Sequence, residues 1–166
     1  MTTPAPAPLV SLDEAARTCR HWREEGLVVV LANGAFDMLH VGHVRYLAGA
    51  RAEGDRLVVA VNTDASVRLA KGPDRPIVPE AERAELVSQL RMVDLVLLFD
   101  DRTVAPVLEA LRPQVHAKGT DYTADTVPER EVVAAYGGRT AICGDPKDHS
   151  TTDAVAEILE RFGNRE

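Results

Sequence analysis

Residues 27–43, LVVVLANGAFDMLHVGH, join a buried strand to a polar turn. The valine-rich run at 27–33 is typical of a strand covered on both faces of a parallel sheet. Gly34 follows, and His40 and His43 lie around the start of the next helix, where free N–H groups and the helix dipole favour an anion. Imidazoles can donate hydrogen bonds to phosphate oxygens, so we predict a phosphate site here. Histidines satisfied in the core, or a metal-binding pair, remain alternatives.

Strand and helix patterns alternate along the rest of the chain. Apolar runs predict strands at 27–33, 56–62, 94–99, 114–119 and 139–144, and helical patterns cover 11–26, 41–53, 64–70, 80–91, 103–112, 129–138 and 150–162. This alternation predicts an α/β fold, a doubly wound parallel five-stranded sheet with helices on both faces. Ligands of such sheets bind beyond the carboxyl ends of the strands.

The predicted organisation is one domain. Residues 1–8, rich in alanine and proline, are expected to form a flexible N-terminal lead. Residues 9–166 form the domain, with a leading helix at 9–26 and the α/β core at 27–162. Ser11 followed by Glu14 predicts a capping box at the start of the leading helix.

Composition excludes several classes of protein. The 166-residue chain carries a formal net charge of −7, which disfavours binding to nucleic acid. Its two cysteines form no CxxC pair, so we expect a reducing, cytoplasmic location. No apolar run approaches the ~20 residues of a membrane-spanning helix, so no membrane partner is expected.

A lysine follows the second predicted strand and its short helix. Lys71 opens the segment KGPDRPIVP, in which glycine and proline favour a loop, and we interpret it as a lid cation for a polyphosphate. A solvated lysine is the alternative, and Arg75 is a weaker candidate for the same role. Arg83, on the next helix, is a possible phosphate clamp. Its alternative is a surface residue paired with Glu80 or Glu85.

The last two predicted strands end in further polar groups. Lys118 ends one strand, and the Asp121 carboxylate after it can accept from an exocyclic amine or a sugar hydroxyl, or can simply stabilise a turn. Ser150 and Thr151 begin the last helix and form a second anion-binding terminus, with plain capping as the alternative. Two such termini at one sheet edge suit a nucleoside triphosphate, although neither a GxxxxGK[ST] nor a GxGxxG motif is present.

Four motifs in order carry a family resemblance: HVGH (40–43), KGPDRP (71–76), GTDY (119–122) and STT (150–152). Together they resemble the HxGH nucleotidyltransferase superfamily, most closely its heptose-1-phosphate adenylyltransferase domain, which makes ADP-heptose. The similarity runs from about Leu9 to Phe162. It implies a Rossmann-like nucleotidyltransferase fold and transfer of a nucleotide, with ATP expected, to D-glycero-D-manno-heptose 1-phosphate with release of pyrophosphate. It also implies Mg²⁺ held through the phosphates rather than by a protein metal site, and a homodimer.

The resemblance also assigns roles to residues. The implied catalytic residues are His40, His43 and Lys71. Nucleotide contacts are implied for Gly34, Ala35, Phe36, Gly42, Arg83, Lys118, Gly119, Asp121, Ser150, Thr151 and Thr152. Acceptor contacts are implied for Asn33, Asp37, Asn62 and Lys71. The alternatives are a cytidylyltransferase acting on a small phosphorylated alcohol such as glycerol 3-phosphate, and a non-catalytic nucleotide-binding module.

Overall fold

A computed structural model describes residues 5–145 and 151–163. Its strands are β1 (Leu9–Val10), β2 (Val29–Gly34), β3 (Arg56–Asn62), β4 (Leu95–Phe99), β5 (Val115–Gly119) and β6 (Arg139–Cys143). Its helices are α1 (Leu12–Glu24), α2 (Val41–Ala52), α3 (Asp64–Lys71), α4 (Glu80–Ser88), α5 (Ala105–Leu111), α6 (Arg130–Ala135) and α7 (Thr151–Phe162). All of the strands are parallel and form one sheet in the order β1-β4-β3-β2-β5-β6.

The sheet has six strands, so the predicted count of five is wrong. The additional strand is β1, whose two residues pair with Val96 and Leu97 of β4 at the sheet edge. Two residues are too few to show the periodicity that distinguishes a strand from the start of a helix. The leading helix therefore begins at Leu12, and the predicted capping box at Ser11 is confirmed by its reciprocal hydrogen bonds with Glu14.

Helices cover both faces of the sheet, which confirms the doubly wound architecture. On one face, α2 and α4 pack over a core that includes Val30, Ala32 and Val59. On the other, α1, α5 and α6 pack over a core that includes Leu31 and Val58. Because β2 to β5 are buried on both sides, their sequences are continuous apolar runs. No helix in the described ranges is both long and apolar enough to span a membrane.

A crevice opens where the direction of winding reverses, between β2 and β5. Their pairing ends at Ala32 and Ala117, so the strands diverge at their carboxyl ends. The Tyr46 hydroxyl of α2 donates to the Ala117 carbonyl at 2.8 Å and holds that helix beside the crevice. Reversal points of this kind are where α/β sheets bind ligands.

Two glycines bring α2 close to the end of β6. A Cβ added at Gly49 would lie 3.1 Å from the Gly144 nitrogen. Gly144 itself has a φ of +95°, a conformation that favours glycine. This close approach brings residues 143–145 to the edge of the sheet where the crevice opens.

A substitution in the turn between α2 and β3 tests how closely this turn packs against residues 28–30. A Cβ added at Gly54 would lie 2.7 Å from Val30 Cγ2 and 2.8 Å from the Val28 carbonyl oxygen. We expect Gly54→Ala to lower the free energy of unfolding by about 1–3 kcal/mol, because the backbone must move to admit the methyl group. Thermal unfolding measures the change as a fall in Tm of several degrees.

The matched control is Gly119→Ala, since an added Cβ there would meet nothing within 4 Å. This variant should unfold close to the wild-type temperature. Equal Tm values for the two variants would contradict the described packing around Gly54.

Candidate active site

A cavity of about 580 Å³ opens beyond the carboxyl ends of β2, β5 and β6. The predicted site residues that line it are Asn33, Gly34, Phe36, His40, Gly42, His43, Lys71, Lys118, Gly119, Asp121, Thr151 and Thr152. Sequence reasoning did not single out as site residues seven further lining residues, Arg45, Tyr46, Thr120, Tyr122, Cys143, Gly144 and Asp145. Gly144 ends a predicted strand, and Thr120 and Asp145 follow directly after predicted strands, which is the signal that could have found them.

Two histidine rings form one wall of the cavity. The turn between β2 and α2 leads to these histidines, and it contains two residues with positive φ, Phe36 at 50° and Met38 at 53°. The rings of His40 and His43 stack with centroids 3.9 Å apart, and the Phe36 ring packs edge-on against His43 at 5.3 Å. The tight turn therefore presents both imidazoles together at the start of α2.

His43 is electrically neutral in the folded protein. Burial lowers its pKa to about 4, and the nearby His40 and Lys71 act in the same direction. Its Nδ1 accepts a hydrogen bond from the His40 backbone N–H at 3.4 Å, so the ring proton resides on Nε2. The neutral ring thus keeps one N–H donor of the kind that a phosphate oxygen accepts.

Lys71 is the last residue of α3, not the first residue of the following loop as predicted. Gly72, with a φ of 98°, ends the helix behind it. The exposed Lys71 side chain lines the cavity on the side of the histidines, close enough for its charge to lower the pKa of His43. The Lys71 ammonium therefore lies on the same side of the cavity as the two stacked imidazoles.

The Asp37 carboxylate holds the loop that follows Lys71. Only 2% exposed, it accepts from the backbone N–H groups of Ile77 at 3.1 Å and Val78 at 3.0 Å, and it pairs with Arg75 at 2.7 Å. Burial acts to raise the pKa of Asp37, but these donors outweigh it and hold the pKa below its usual value. Asp37, expected to contact the acceptor, and Arg75, the weaker candidate for a lid cation, pair with each other, and neither lines the cavity.

Arg83 lies in the interior and not at the predicted phosphate clamp. It is fully buried, and its guanidinium donates to the Val78 carbonyl at 2.8 Å, to Asp64 at 2.8 Å and to the Ala35 carbonyl. The surface alternative is also wrong. Because the guanidinium is surrounded by protein, its role is to join α3, α4 and the turn before α2.

Two further predicted contacts lie outside the cavity lining. The Ala35 carbonyl is occupied by Arg83, and the Asn62 amide donates to the Ser66 hydroxyl at 3.1 Å. These local bonds explain why neither group faces the crevice.

The start of α7 faces the same cavity as the histidines. Thr151, 9% exposed, donates from its hydroxyl to the Asp37 carbonyl at 2.6 Å, and Thr152 lines the cavity beside it. Ser150 lies outside the described residues. The two segments that the sequence predicts to meet around one anion, 40–43 and 151–152, therefore do meet.

A cluster of polar side chains joins two cavity-lining residues, Asn33 and Lys118, to two residues outside the lining, His116 and Glu129. Lys118 pairs with Glu129 at 3.4 Å and donates to the Asn33 side-chain oxygen at 3.3 Å. His116 Nε2 lies 3.1 Å from the same oxygen. Glu129 and His116 belong to no motif, so only the fold brings them together with Asn33 and Lys118.

The buried His116 and the half-buried His43 give the fold a dependence on pH. Burial lowers the pKa of His43 to about 4 and of His116 to about 3, from an ordinary value of 6.5. As the pH falls through 6.5, these histidines therefore bind protons in the unfolded chain but not in the folded chain. We expect the free energy of unfolding, measured with urea, to fall between about pH 7 and pH 5.

Replacing His116 with glutamine removes one of these two titrating groups. The variant should show a shallower dependence on pH than the wild type, whatever its absolute stability. A free energy of unfolding that is constant or rises between about pH 7 and pH 5 would show that these imidazoles are not held neutral.

Comparison with known proteins agrees with this geometry. Curated relatives named bifunctional protein HldE include one from Gluconobacter oxydans, 46% identical over 152 residues, which are 92% of this chain and 32% of the relative. One from Geobacter sulfurreducens is 44% identical over 157 residues, or 95% of this chain and 32% of the relative. The chain thus spans about a third of the length of these relatives.

A solved structure and a family model extend the comparison. The lipopolysaccharide core biosynthesis protein from Thermoplasma volcanium superposes with a TM-score of 0.61 at 31% identity, covering 70% of this chain and 94% of that one. The model of the cytidylyltransferase-like family matches residues 31–158, which run from β2 into α7 and include the whole described cavity. The chain belongs to the cytidylyltransferase-like family of nucleotidyltransferases.

Proposed function

We propose that this chain is a heptose-1-phosphate adenylyltransferase. It transfers the adenylyl group of ATP to D-glycero-D-manno-heptose 1-phosphate, forming ADP-heptose and releasing pyrophosphate. The observation that carries the proposal is the meeting of His40, His43, Lys71 and Thr151 around one cavity. The HldE relatives and the lipopolysaccharide core protein support the choice of a heptose acceptor.

The reaction is a single displacement at phosphorus. A phosphate oxygen of the sugar attacks the α-phosphorus of ATP, a new P–O bond forms, and the bond to pyrophosphate breaks. Negative charge on the phosphoryl oxygens must then be held in place by fixed donors. The Nε2–H of neutral His43 donates to one of these oxygens without any rearrangement of its ring.

The other groups contact different phosphates of the triphosphate. His40 stacks on His43 and faces the α- and β-phosphates, and Lys71 supplies positive charge from the end of α3. The N–H groups at the start of α7, with Thr151 and Thr152, hold the β- and γ-phosphates. Lys71 also meets the incoming sugar phosphate.

Magnesium enters in this proposal as part of the nucleotide substrate. The described residues contain no group of three His, Cys, Asp or Glu side chains arranged to hold a metal ion. Mg²⁺ usually keeps several waters and binds through substrate phosphates with only one or two carboxylates. The triphosphate oxygens therefore supply its main ligands.

The base of the nucleotide faces the wall formed by 119–122 and 143–145, where Asp121 offers a carboxylate to an exocyclic amine. ATP is the proposed nucleotide because the motifs HVGH, KGPDRP, GTDY and STT resemble those of heptose-1-phosphate adenylyltransferases. We place the reaction in the cytoplasm, where the buried thiols Cys19 and Cys143 stay reduced.

A homodimer is also proposed. Leu69, Ile77 and Leu86 are 78%, 51% and 46% exposed, and they lie in α3, in the loop that follows it and in α4. Burying exposed apolar side chains of this kind against a second copy of the chain is favourable. Sedimentation at micromolar concentration should give twice the mass of the chain, and a single-chain mass would refute the dimer.

His43→Ala tests the assigned donor. Loss of one fixed donor to the transition state should lower kcat by ~10²–10³. The measurement is pyrophosphate release with ATP and heptose 1-phosphate. A variant with wild-type kcat would remove His43 from the mechanism.

Lys71→Ala tests the cation. Because the side chain is exposed at a helix end, Tm should stay near that of the wild type. Loss of a charged hydrogen bond should lower kcat/KM roughly tenfold to hundredfold. Lys71→Arg, which keeps the charge, is the matched control and should retain more activity than the alanine variant. A large fall in Tm would instead make Lys71 a structural residue.

A screen of four nucleoside triphosphates against several phosphorylated acceptors tests the substrates. Pyrophosphate release should be largest with ATP and heptose 1-phosphate. Preference for CTP with glycerol 3-phosphate would make the chain a cytidylyltransferase of the same family. Nucleotide binding without pyrophosphate release for any acceptor would make it a binding module.

A further inference from the structure

Asn33 lies at the crevice between β2 and β5, one residue before the end of β2. Its side-chain oxygen receives two donors from β5, His116 Nε2 at 3.1 Å and Lys118 Nζ at 3.3 Å. The residue also lines the cavity. The oxygen end of the planar amide is therefore turned towards β5, and the nitrogen end is turned away from it.

The Lys118 ammonium fixes that orientation, because it can only donate and therefore requires the oxygen of the amide. His116 is fully buried, and burial lowers its pKa to about 3, so the ring is neutral and carries one proton. Facing a carbonyl oxygen, which can only accept, Nε2 must be the protonated nitrogen. A flipped Asn33 would place its own N–H₂ against this N–H and against the Lys118 ammonium.

Lys118 is held in place from its other side. Its ammonium and the Glu129 carboxylate, 3.4 Å apart, have side chains only 9% and 8% exposed. A buried ammonium needs such a partner, because desolvation otherwise favours its neutral form. With its charge matched by Glu129 and a hydrogen bond to Asn33, Lys118 adds little net charge to the cavity.

We propose that His116 and Lys118 are positioning residues that fix the Asn33 amide with its nitrogen towards the cavity, where it donates to a phosphate oxygen of the sugar phosphate. Phosphate oxygens are acceptors at neutral pH, so only this orientation of the amide is productive. The inference rests on the proposed function, and it specifies which end of Asn33 makes the acceptor contact implied by the resemblance and which residues orient it. It also gives Lys118 a supporting role instead of the predicted contact with the nucleotide.

Asn33→Asp separates the two ends of the amide. The aspartate keeps an oxygen for His116 and Lys118 but replaces the N–H₂ donor with a second acceptor. Tm should be retained, and KM for heptose 1-phosphate should rise about tenfold or more while KM for ATP changes little. Wild-type KM for the sugar phosphate, or a rise confined to the KM for ATP, would overturn the proposed contact.

Variants of His116 test the positioning role without adding charge. His116→Leu removes the donor to Asn33, whereas His116→Gln offers an amide N–H in place of Nε2. The leucine variant should raise KM for the sugar phosphate severalfold with little change in kcat, and the glutamine variant should restore much of the loss. Equal KM values for the two variants would mean that His116 acts only through its volume.

A spectroscopic measurement is independent of turnover. In ¹⁵N-labelled protein, the Asn33 side-chain amide signals are those that disappear in Asn33→Asp. They should shift when heptose 1-phosphate is added to the wild type, and less so in His116→Leu. Signals that do not move in the wild type would refute the contact.

These experiments distinguish the two proposals. A wild-type protein that releases no pyrophosphate with heptose 1-phosphate contradicts the proposed function. An active wild type whose Asn33 and His116 variants keep its KM values contradicts only the positioning role. Tyr136→Phe is the control for loss of a buried polar atom elsewhere, and it should behave as the wild type. Tyr136 lies at the end of α6, and its buried hydroxyl has no hydrogen-bond partner among residues 5–145 and 151–163.

Discussion

The buried residue Asp37 joins the three segments on which the site depends. Its carboxylate binds the 72–79 loop through two backbone N–H groups and Arg75, and its carbonyl accepts from Thr151 at the start of α7. It also lies in the tight turn that presents His40 and His43. Asp37 does not itself line the cavity. It nevertheless holds together the loop that follows Lys71, the turn that carries His40 and His43, and the start of α7. Arg83, fully buried behind it, ties the same turn to α3 and α4.

For the proposed function, this arrangement explains how a polyanionic substrate fits a chain of net charge −7. The cavity does not depend on an excess of cations. It combines a neutral His43, helix N-termini and one exposed lysine, while the second lysine, Lys118, is matched by Glu129. Donors that are fixed before the reaction need no reorganisation when charge develops, which is how phosphoryl transfer is accelerated without a covalent intermediate. The positions of individual donors, and not the net charge of the chain, therefore account for the proposed phosphate binding.

Sequence reasoning predicted five of the six strands and most of the cavity because both follow from patterns within one segment. Buried strands are apolar runs, and the polar groups after them meet wherever parallel strands end at one edge. The predictions failed where a segment is too short to show a periodic pattern, or where a contact depends on residues that are distant in the sequence. Strand β1 is too short to be periodic, the burial of Arg83 depends on three distant segments, and Glu129 pairs with Lys118 only because α6 packs beside β5.

The central claim is that the histidine turn and the start of α7 bind opposite ends of one triphosphate. A crystal structure with a non-hydrolysable ATP analogue and Mg²⁺ measures this directly. The account predicts phosphate oxygens within hydrogen-bonding distance of His43 Nε2 at one end and of the N–H groups at 151–152 at the other. A nucleotide bound outside the cavity, or a triphosphate that contacts only one of the two segments, would contradict it.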